Sequence, residues 1–195
     1  NSNATTVEEL SAEKCDGEST IDEVRTALVA KLGENMTVRR FVRFSVENGA
    51  IQSYIHAAGK IGVLVQLGCE NNSPVLLEVA KDVAMHIAAA NPGYLNREQV
   101  PTAELEHEKA VLTEQARNEG KPEKIIEKMV IGRIQKYYKE VCLVDQEFVK
   151  DPDQTVGKLV AAAGAAVTEF TRFQLGEGIE KKQEDFAAEV MAQIK

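Results

Sequence analysis

The sequence predicts an α+β protein in which an antiparallel sheet of three to four strands packs on helices and a helical hairpin forms a protruding arm. Three observations support this fold class. The spacing of apolar residues changes from three and four to two near Thr37. Helical and strand-like runs are segregated along the chain, which favours antiparallel pairing. Gly120-Lys121-Pro122 separates two long helical runs, as in an αα-hairpin.

Composition narrows the class of protein further. The 195 residues are 44% apolar and 28% charged, which is typical of a globular chain. No apolar run approaches the roughly 18 residues of a membrane helix, and the N-terminal residues lack the basic and apolar regions of a signal peptide, so we expect a cytoplasmic protein. The net charge of −8 disfavours contact with nucleic acid or membrane. Cys15, Cys69 and Cys142 are too widely spaced for a zinc knuckle, and we expect no cofactor.

The N-terminal part of the sequence predicts one amphipathic helix. Ser2-Asn3-Ala4 is similar to the remnant of a cleaved affinity tag, and residues 1–17 are interpreted as that remnant and a lead-in. Residues 18–32 carry apolar side chains at helical spacing, and Gly33 is placed to end the helix. The stripe consists of Ile21, Val24, Leu28 and Leu32.

Asn48-Gly49 predicts a β-hairpin, because both residues accept the positive φ of a type I′ turn. The flanking strands would cover residues 37–46 and 51–56. A two-residue turn fixes the register, so one face would carry the core residues Val46, Phe44, Val42, Ile51, Ser53 and Ile55. The other, open face would carry Arg39, Phe41, Arg43, Tyr54 and His56. We interpret these five residues as candidates for contact with a partner.

Further elements complete the predicted core subdomain, which we assign to residues 18–101 and 140–195. A third strand covers residues 61–67, and Ser73 and Pro74 begin a helix that extends to residue 90. A short helix over residues 155–163 precedes a fourth strand over residues 167–175. Gly176-Glu177-Gly178 then leads into a last helix, whose apolar face is formed by Ile179, Phe186, Val190 and Ile194.

Residues 102–139 are predicted to form the arm, with helices over residues 102–119 and 122–138. The second helix has a continuous apolar stripe, whereas the first has few apolar residues among Glu, Lys and Gln. So sparse a stripe is typical of a helix that projects into solvent rather than one in a core. The arm is therefore interpreted as a coiled coil.

Candidate chemistry is sparse. His86 shares a helical face with Val79, Val83 and Ile87, which favours a packed histidine over a catalytic one. Glu104, His107 and Glu108 have the spacing of metal ligands and would suit a metal-dependent hydrolase, although a solvated helix face explains them more simply. Gly176-Glu177-Gly178 lacks the P-loop and dinucleotide fingerprints. We therefore expect a binding protein and no enzyme.

The run Arg39-Arg40-Phe41-Val42-Arg43-Phe44 leaves two kinds of partner open. Basic and aromatic residues on a strand can stack on single-stranded RNA. Arg, Tyr and Phe are also enriched in protein-binding hot spots. The negative net charge favours a protein partner, and an RNA-binding module remains the alternative.

Several blocks along the chain resemble, in order, the C-terminal half of bacterial elongation factor Ts. They begin with Leu28-Val29-Ala30-Lys31-Leu32-Gly33-Glu34-Asn35 and Arg39-Arg40-Phe41, followed by Ser53-Tyr54-Ile55-His56 and Gly59-Lys60-Ile61-Gly62-Val63-Leu64-Val65. Later blocks are Ala84-Met85-His86-Ile87-Ala88-Ala89, Gly120-Lys121-Pro122, Glu127-Lys128-Met129-Val130 with Gly132-Arg133, Gln146 with Phe148-Val149, and Arg172-Phe173 with Gly176-Glu177-Gly178-Ile179-Glu180-Lys181. The resemblance covers nearly all of residues 18–195.

The resemblance implies a translation elongation factor, namely a guanine-nucleotide exchange factor that binds elongation factor Tu and promotes GDP release in protein biosynthesis. The family's sheet docks on a β-barrel domain of that GTPase, which implies partner contacts at Arg39, Tyr54, His56 and Ile61. His86 and Met129 would serve packing. The family's N-terminal helical module and Thr-Asp-Phe-Val segment do not match this sequence, so we expect a fragment that binds but exchanges poorly. Homodimer formation is left open.

Overall fold

The computed structural model describes residues 2–15, 17–70 and 74–179, which belong to two compact units, residues 1–44 and 45–195. The described residues mix helices with antiparallel strands, which confirms the α+β class. Single 3-10 turns also occur at Arg97–Gln99 and Leu143–Asp145. In chain order the elements are α1 (Val7–Ala12), α2 (Ile21–Leu32), β1 (Gly49–His56), β2 (Ile61–Cys69), α3 (Pro74–Ala90), α4 (Thr102–Asn118), α5 (Glu123–Val141), β3 (Glu147–Phe148), β4 (Asp151–Thr155), α6 (Val156–Ala162) and β5 (Ala165–Gln174).

The first unit contains α1, α2 and an extended segment. Thr20 and Glu23 form a capping box that begins α2, and Gly33 ends it in the left-handed region with φ 72°. The predicted helix is thereby confirmed. Its apolar stripe is not buried, since Val24, Leu28 and Leu32 are all exposed.

The sheet of the second unit has the strand order β1-β2-β5, with both pairs antiparallel. Helix α3 packs on one face, and its buried residues form a single core with those of the sheet. At the centre lie Val65, Leu67, Val83 and Ile87, none of which exposes any surface. The predicted strands over residues 51–56, 61–67 and 167–175 are confirmed.

The predicted hairpin at Asn48-Gly49 is wrong, because residues 37–46 form no strand. Gly49 instead begins β1, where an added Cβ would lie 1.9 Å from the carbonyl oxygen of Leu67. The glycine is needed for the close approach of β1 to β2 rather than for a turn. The hairpin that does form joins β1 to β2 through residues 57–60.

The faces of β1 are consequently the reverse of the prediction. Tyr54 is paired with buried Val63 and packs against the core, whereas Ile55 is 65% exposed on the opposite face. The prediction that Phe41 shares a sheet face with Tyr54 and His56 is wrong, because Phe41 belongs to no strand. Register with a nonlocal partner strand, and not a local turn, determines which side chains are buried.

Helices α4 and α5 form the predicted αα-hairpin. Leu112 and Ala116 of α4 and Ile126 and Ile134 of α5 are buried. The predicted short helix is present as α6, with Thr155 as its N-cap. The β3–β4 pair was not predicted. None of the helices in the described part of the chain is long and apolar enough to cross a membrane. Ser73 and the predicted helix after Ile179 lie outside the described residues.

Candidate partner-binding site

The tip of the β1–β2 hairpin has an unusual backbone. Ala57, Ala58 and Gly59 all adopt positive φ, with values of 52°, 55° and 89°. For a residue with a Cβ this conformation costs about 1–2 kcal/mol. Strained backbone of this kind often marks a functional site, because the surrounding structure must maintain it. Of these three residues only Gly59 is a local sequence signal for positive φ, so the strained tip was not predicted.

Tyr54 and His56 form a pair beside this tip. Their rings are stacked with centroids 5.8 Å apart, and the Tyr54 hydroxyl lies 3.1 Å from Nδ1 of His56. His56 is exposed and is paired across the hairpin with Ile61. Tyr54 packs partly against the core and so anchors the more exposed imidazole. The structure therefore brings three of the predicted contact residues together.

The other three predicted contact residues belong to the unit of residues 1–44. Arg39 is exposed and Phe41 is half-buried in the extended segment after α2. Arg43 donates hydrogen bonds from Nη1 to the carbonyl oxygen of Ser2 at 2.8 Å and to Oδ1 of Asn3 at 3.3 Å. The strand that the RNA-binding alternative requires over residues 39–44 is not formed.

His86 is buried and has a hydrogen-bond partner at each ring nitrogen. The Val149 amide donates to Nδ1 at 3.3 Å, so Nε2 carries the proton and donates to Oε1 of Gln146 at 2.8 Å. Gln146 in turn donates from Nε2 to the carbonyl oxygen of Glu140. Burial lowers the pKa of His86, and the hydrogen bond to Gln146 opposes that shift only partly. His86 is thus a packed histidine, as predicted, and its two hydrogen bonds match the neutral imidazole.

At the root of the arm, a carboxylate is held by two phenols. Glu104 accepts hydrogen bonds from the hydroxyl of Tyr94 at 2.5 Å and from the hydroxyl of Tyr137. These bonds lower the pKa of Glu104, while burial and the carboxylate raise the pKa of Tyr137. Within the described ranges no three potential ligands converge as at a metal site. Glu104, through its two phenol partners, therefore ties the arm to the segment before α4.

A second polar contact secures the same root. Arg97 donates to both carboxylate oxygens of Asp145, at 3.0 and 2.7 Å, and to Oε1 of Gln135 at 2.9 Å. Its guanidinium also lies 5.0 Å from the centre of the Tyr138 ring. A bidentate Arg–carboxylate pair fixes direction as well as distance. The arm is therefore joined to the core by directional contacts on both helices.

These features define a class of protein: an α+β domain with a strained hairpin tip, a helical arm and a buried, packed histidine. The family model described as "Elongation factor TS" matches residues 1–177. The chain belongs to the elongation factor Ts family.

Relatives from several clostridia support this membership. The chain is 59% identical over 196 residues to elongation factor Ts of Clostridium perfringens strain SM101, and 57% identical over 197 residues to that of Clostridium botulinum strain Alaska E43. Clostridium acetobutylicum has a relative that is 54% identical over 200 residues. These alignments cover 97%, 98% and 99% of this chain but only 65% of each relative. The chain thus spans about two thirds of the length of the proteins it matches.

Proposed function

We propose that this chain acts in translation elongation by binding the GTPase elongation factor Tu, and that it acts by contact rather than by covalent chemistry. Family membership over nearly the whole chain is the observation that carries the proposal. The hairpin tip supplies a surface suited to it, with a stacked and partly exposed Tyr54–His56 pair beside Ile61. Aromatic residues held rigidly at such a surface are typical of binding hot spots.

Binding and nucleotide exchange are separate parts of this proposal. Accelerated GDP release requires an interaction that favours a GTPase state with weakened phosphate and magnesium contacts. In the family, that action is attributed to an N-terminal helical module and a Thr-Asp-Phe-Val segment, which do not match this sequence. We propose that the chain binds elongation factor Tu but accelerates release of GDP only weakly.

The test measures two quantities on the same sample. Calorimetry gives the affinity of the chain for elongation factor Tu, and a fluorescent GDP analogue reports nucleotide release with and without excess chain. We expect measurable binding with little acceleration. Absence of binding contradicts the proposed partner, whereas full acceleration contradicts the division of labour between the two regions.

Variants at the tip test which surface makes the contact. His56→Ala is expected to raise the Kd about tenfold or more, as for the loss of a hot-spot side chain of about 2 kcal/mol. His107→Ala is the matched control, since His107 is also exposed but lies on α4. Equal affinities of the two variants would exclude the tip as the main contact.

A further inference from the structure

The outer edge of β5 borders a cavity that the proposed contact with the GTPase does not use. In the sheet order β1-β2-β5, one side of β5 is paired with β2 and the other is an edge of the described sheet. A cavity of about 610 Å³ lies between residues 168–172 of this strand and residues 91–95, which follow α3. Its volume is within the range of binding sites, but its lining is rich in polar groups rather than apolar ones.

The main chain on the far side of the cavity is already engaged. The Gly93 and Tyr94 amides both donate to the carbonyl oxygen of Val141, and the Tyr94 carbonyl accepts from the Leu143 amide. The Tyr94 hydroxyl is bound to Glu104. Residues 93 and 94 are therefore held in place by hydrogen bonds of their own. On the opposite side of the cavity, main-chain groups at the outer edge of β5 can still form hydrogen bonds. An edge strand of this kind can accept an added strand.

Arg172 gives this edge its specificity. It is paired with Val63, whose side chain is buried, so Arg172 lies on the helix-packed face at the margin of the cavity. Its Nη2 donates to Oε1 of Gln174 at 3.2 Å, but its Nε is buried and has no hydrogen-bond acceptor among the described residues. A guanidinium cannot lose its proton to avoid that cost. A carboxylate is the acceptor that best matches its geometry.

The remaining charges at the cavity are negative. Glu169 and Glu177 also line it, and both are exposed. An incoming segment therefore meets the half-buried guanidinium of Arg172 and the exposed carboxylate of Glu169, whereas the Glu177 carboxylate already accepts a hydrogen bond from the Gln174 amide at 3.4 Å. A segment with an acidic side chain next to a basic one would complement both the guanidinium and the carboxylate. An extra residue in β5, Thr168, interrupts the ladder opposite Gln66 and Leu67. At the other end the Gln174 amide is already bound by Glu177, so residues 169–173 are the part of the edge open to an added strand.

Because the unpaired edge of β5 lies beside Arg172 at the margin of the cavity, we infer that this edge is a docking site for an extended peptide segment of a partner protein. The segment adds as a strand beside residues 169–173 and places an Asp or Glu side chain against Arg172, with a basic side chain towards Glu169. Main-chain hydrogen bonds supply affinity, and the carboxylate supplies specificity. The site lies on the opposite edge of the sheet from β1, which carries Tyr54 and His56.

The test uses the complete chain and a displayed library of random nine-residue peptides. Peptides are selected on the unmodified chain and then synthesised as the consensus sequence, the same sequence with its acidic residue changed to the amide, and an N-methylated form. We expect enrichment of one acidic position, an affinity about tenfold lower for the amide form, and loss of binding for the N-methylated form, which cannot pair as a strand. Hydrogen exchange should show slower exchange of the β5 amides when the consensus peptide is bound.

Variants of the chain make the test specific. Arg172→Gln should bind the acidic and amide peptides with equal affinity. Arg133→Gln, which makes the same charge change on α5, should still bind the acidic peptide more tightly. The inference would be overturned if no peptide were enriched, or if the enriched peptides had no acidic position in common. It would also be overturned if Arg172→Gln preferred the acidic peptide over the amide peptide as strongly as the unmodified chain does. Binding of Arg172→Gln to elongation factor Tu, measured in parallel, should be unchanged; loss of that binding would place Arg172 in the GTPase contact and overturn the separate site.

Discussion

Nε2 of His86 lies 2.8 Å from Oε1 of Gln146, and this hydrogen bond joins α3 to the segment that follows α5. Gln146 continues the connection through its donation to the Glu140 carbonyl. The imidazole accepts a proton only by giving up the hydrogen bond from the Val149 amide. The arrangement therefore depends on a neutral histidine.

This dependence predicts a loss of stability at low pH. Because burial lowers the pKa of His86 in the folded protein, the unfolded chain binds a proton more readily than the folded chain. The stability that His86 contributes is complete above its unfolded pKa of about 6.5 and is lost as the pH falls through the folded pKa. We expect the free energy of unfolding in urea to fall between neutral pH and pH 5. His86→Gln should reduce this dependence; an unchanged slope in that variant would contradict the assignment.

The hairpin tip predicts a stabilising substitution. Ala58→Gly should raise the free energy of unfolding by about 0.5–1 kcal/mol, because glycine adopts positive φ without the cost that alanine bears. The measurement is chemical denaturation of both proteins under one condition. Ala110→Gly, at an exposed position within α4, is the control and should destabilise by a similar amount. Destabilisation by Ala58→Gly would show that residue 58 does not hold the left-handed conformation in solution.

The carboxylate at the root of the arm predicts a change in tyrosine titration. Glu104→Gln removes the negative charge beside the Tyr94 and Tyr137 hydroxyls, so the pKa of each phenol should fall towards its ordinary value. Absorbance of the ionised phenols, followed on raising the pH, measures the shift. Glu106→Gln, an exposed position on the same helix, should leave the titration unchanged. A titration that is the same in Glu104→Gln would contradict the two-phenol arrangement.

The arm predicts tolerance to shortening. Removal of residues 109–133 and closure with a short glycine linker should leave a cooperative melting transition, because no residue of α4 or α5 belongs to the buried core cluster in the described part of the chain. The deletion retains Glu104 and Tyr137 and therefore the contacts at the root. Thermal unfolding followed by circular dichroism checks the expectation. A broad, non-cooperative transition would indicate that the arm supports the core.

Local sequence signals were sufficient for the helices. Gly33 and Thr155 act on backbone groups within a few residues, so the end of α2 and the start of α6 were predicted without knowledge of the fold. The predicted start of α2 at residue 18 missed the capping box of Thr20 and Glu23. Gly120 and Pro122 act in the same way between α4 and α5. The ordered blocks that resemble elongation factor Ts also needed no structure, and the family match confirmed them.

The sheet required the tertiary structure. Asn48-Gly49 is compatible both with a turn and with the close approach of two strands, and only the position of the Leu67 carbonyl decides between them. Tyr54 faces the core because β1 pairs with β2, and β2 in turn pairs with β5, about one hundred residues further along the chain. The hydrogen bonds of Glu104 to Tyr94 and Tyr137 likewise join residues that no sequence spacing connects. Helix caps are local interactions, and the sequence alone therefore determined the helices. Strand register and polar clusters depend on which distant segments share the core, so only the tertiary structure decided them.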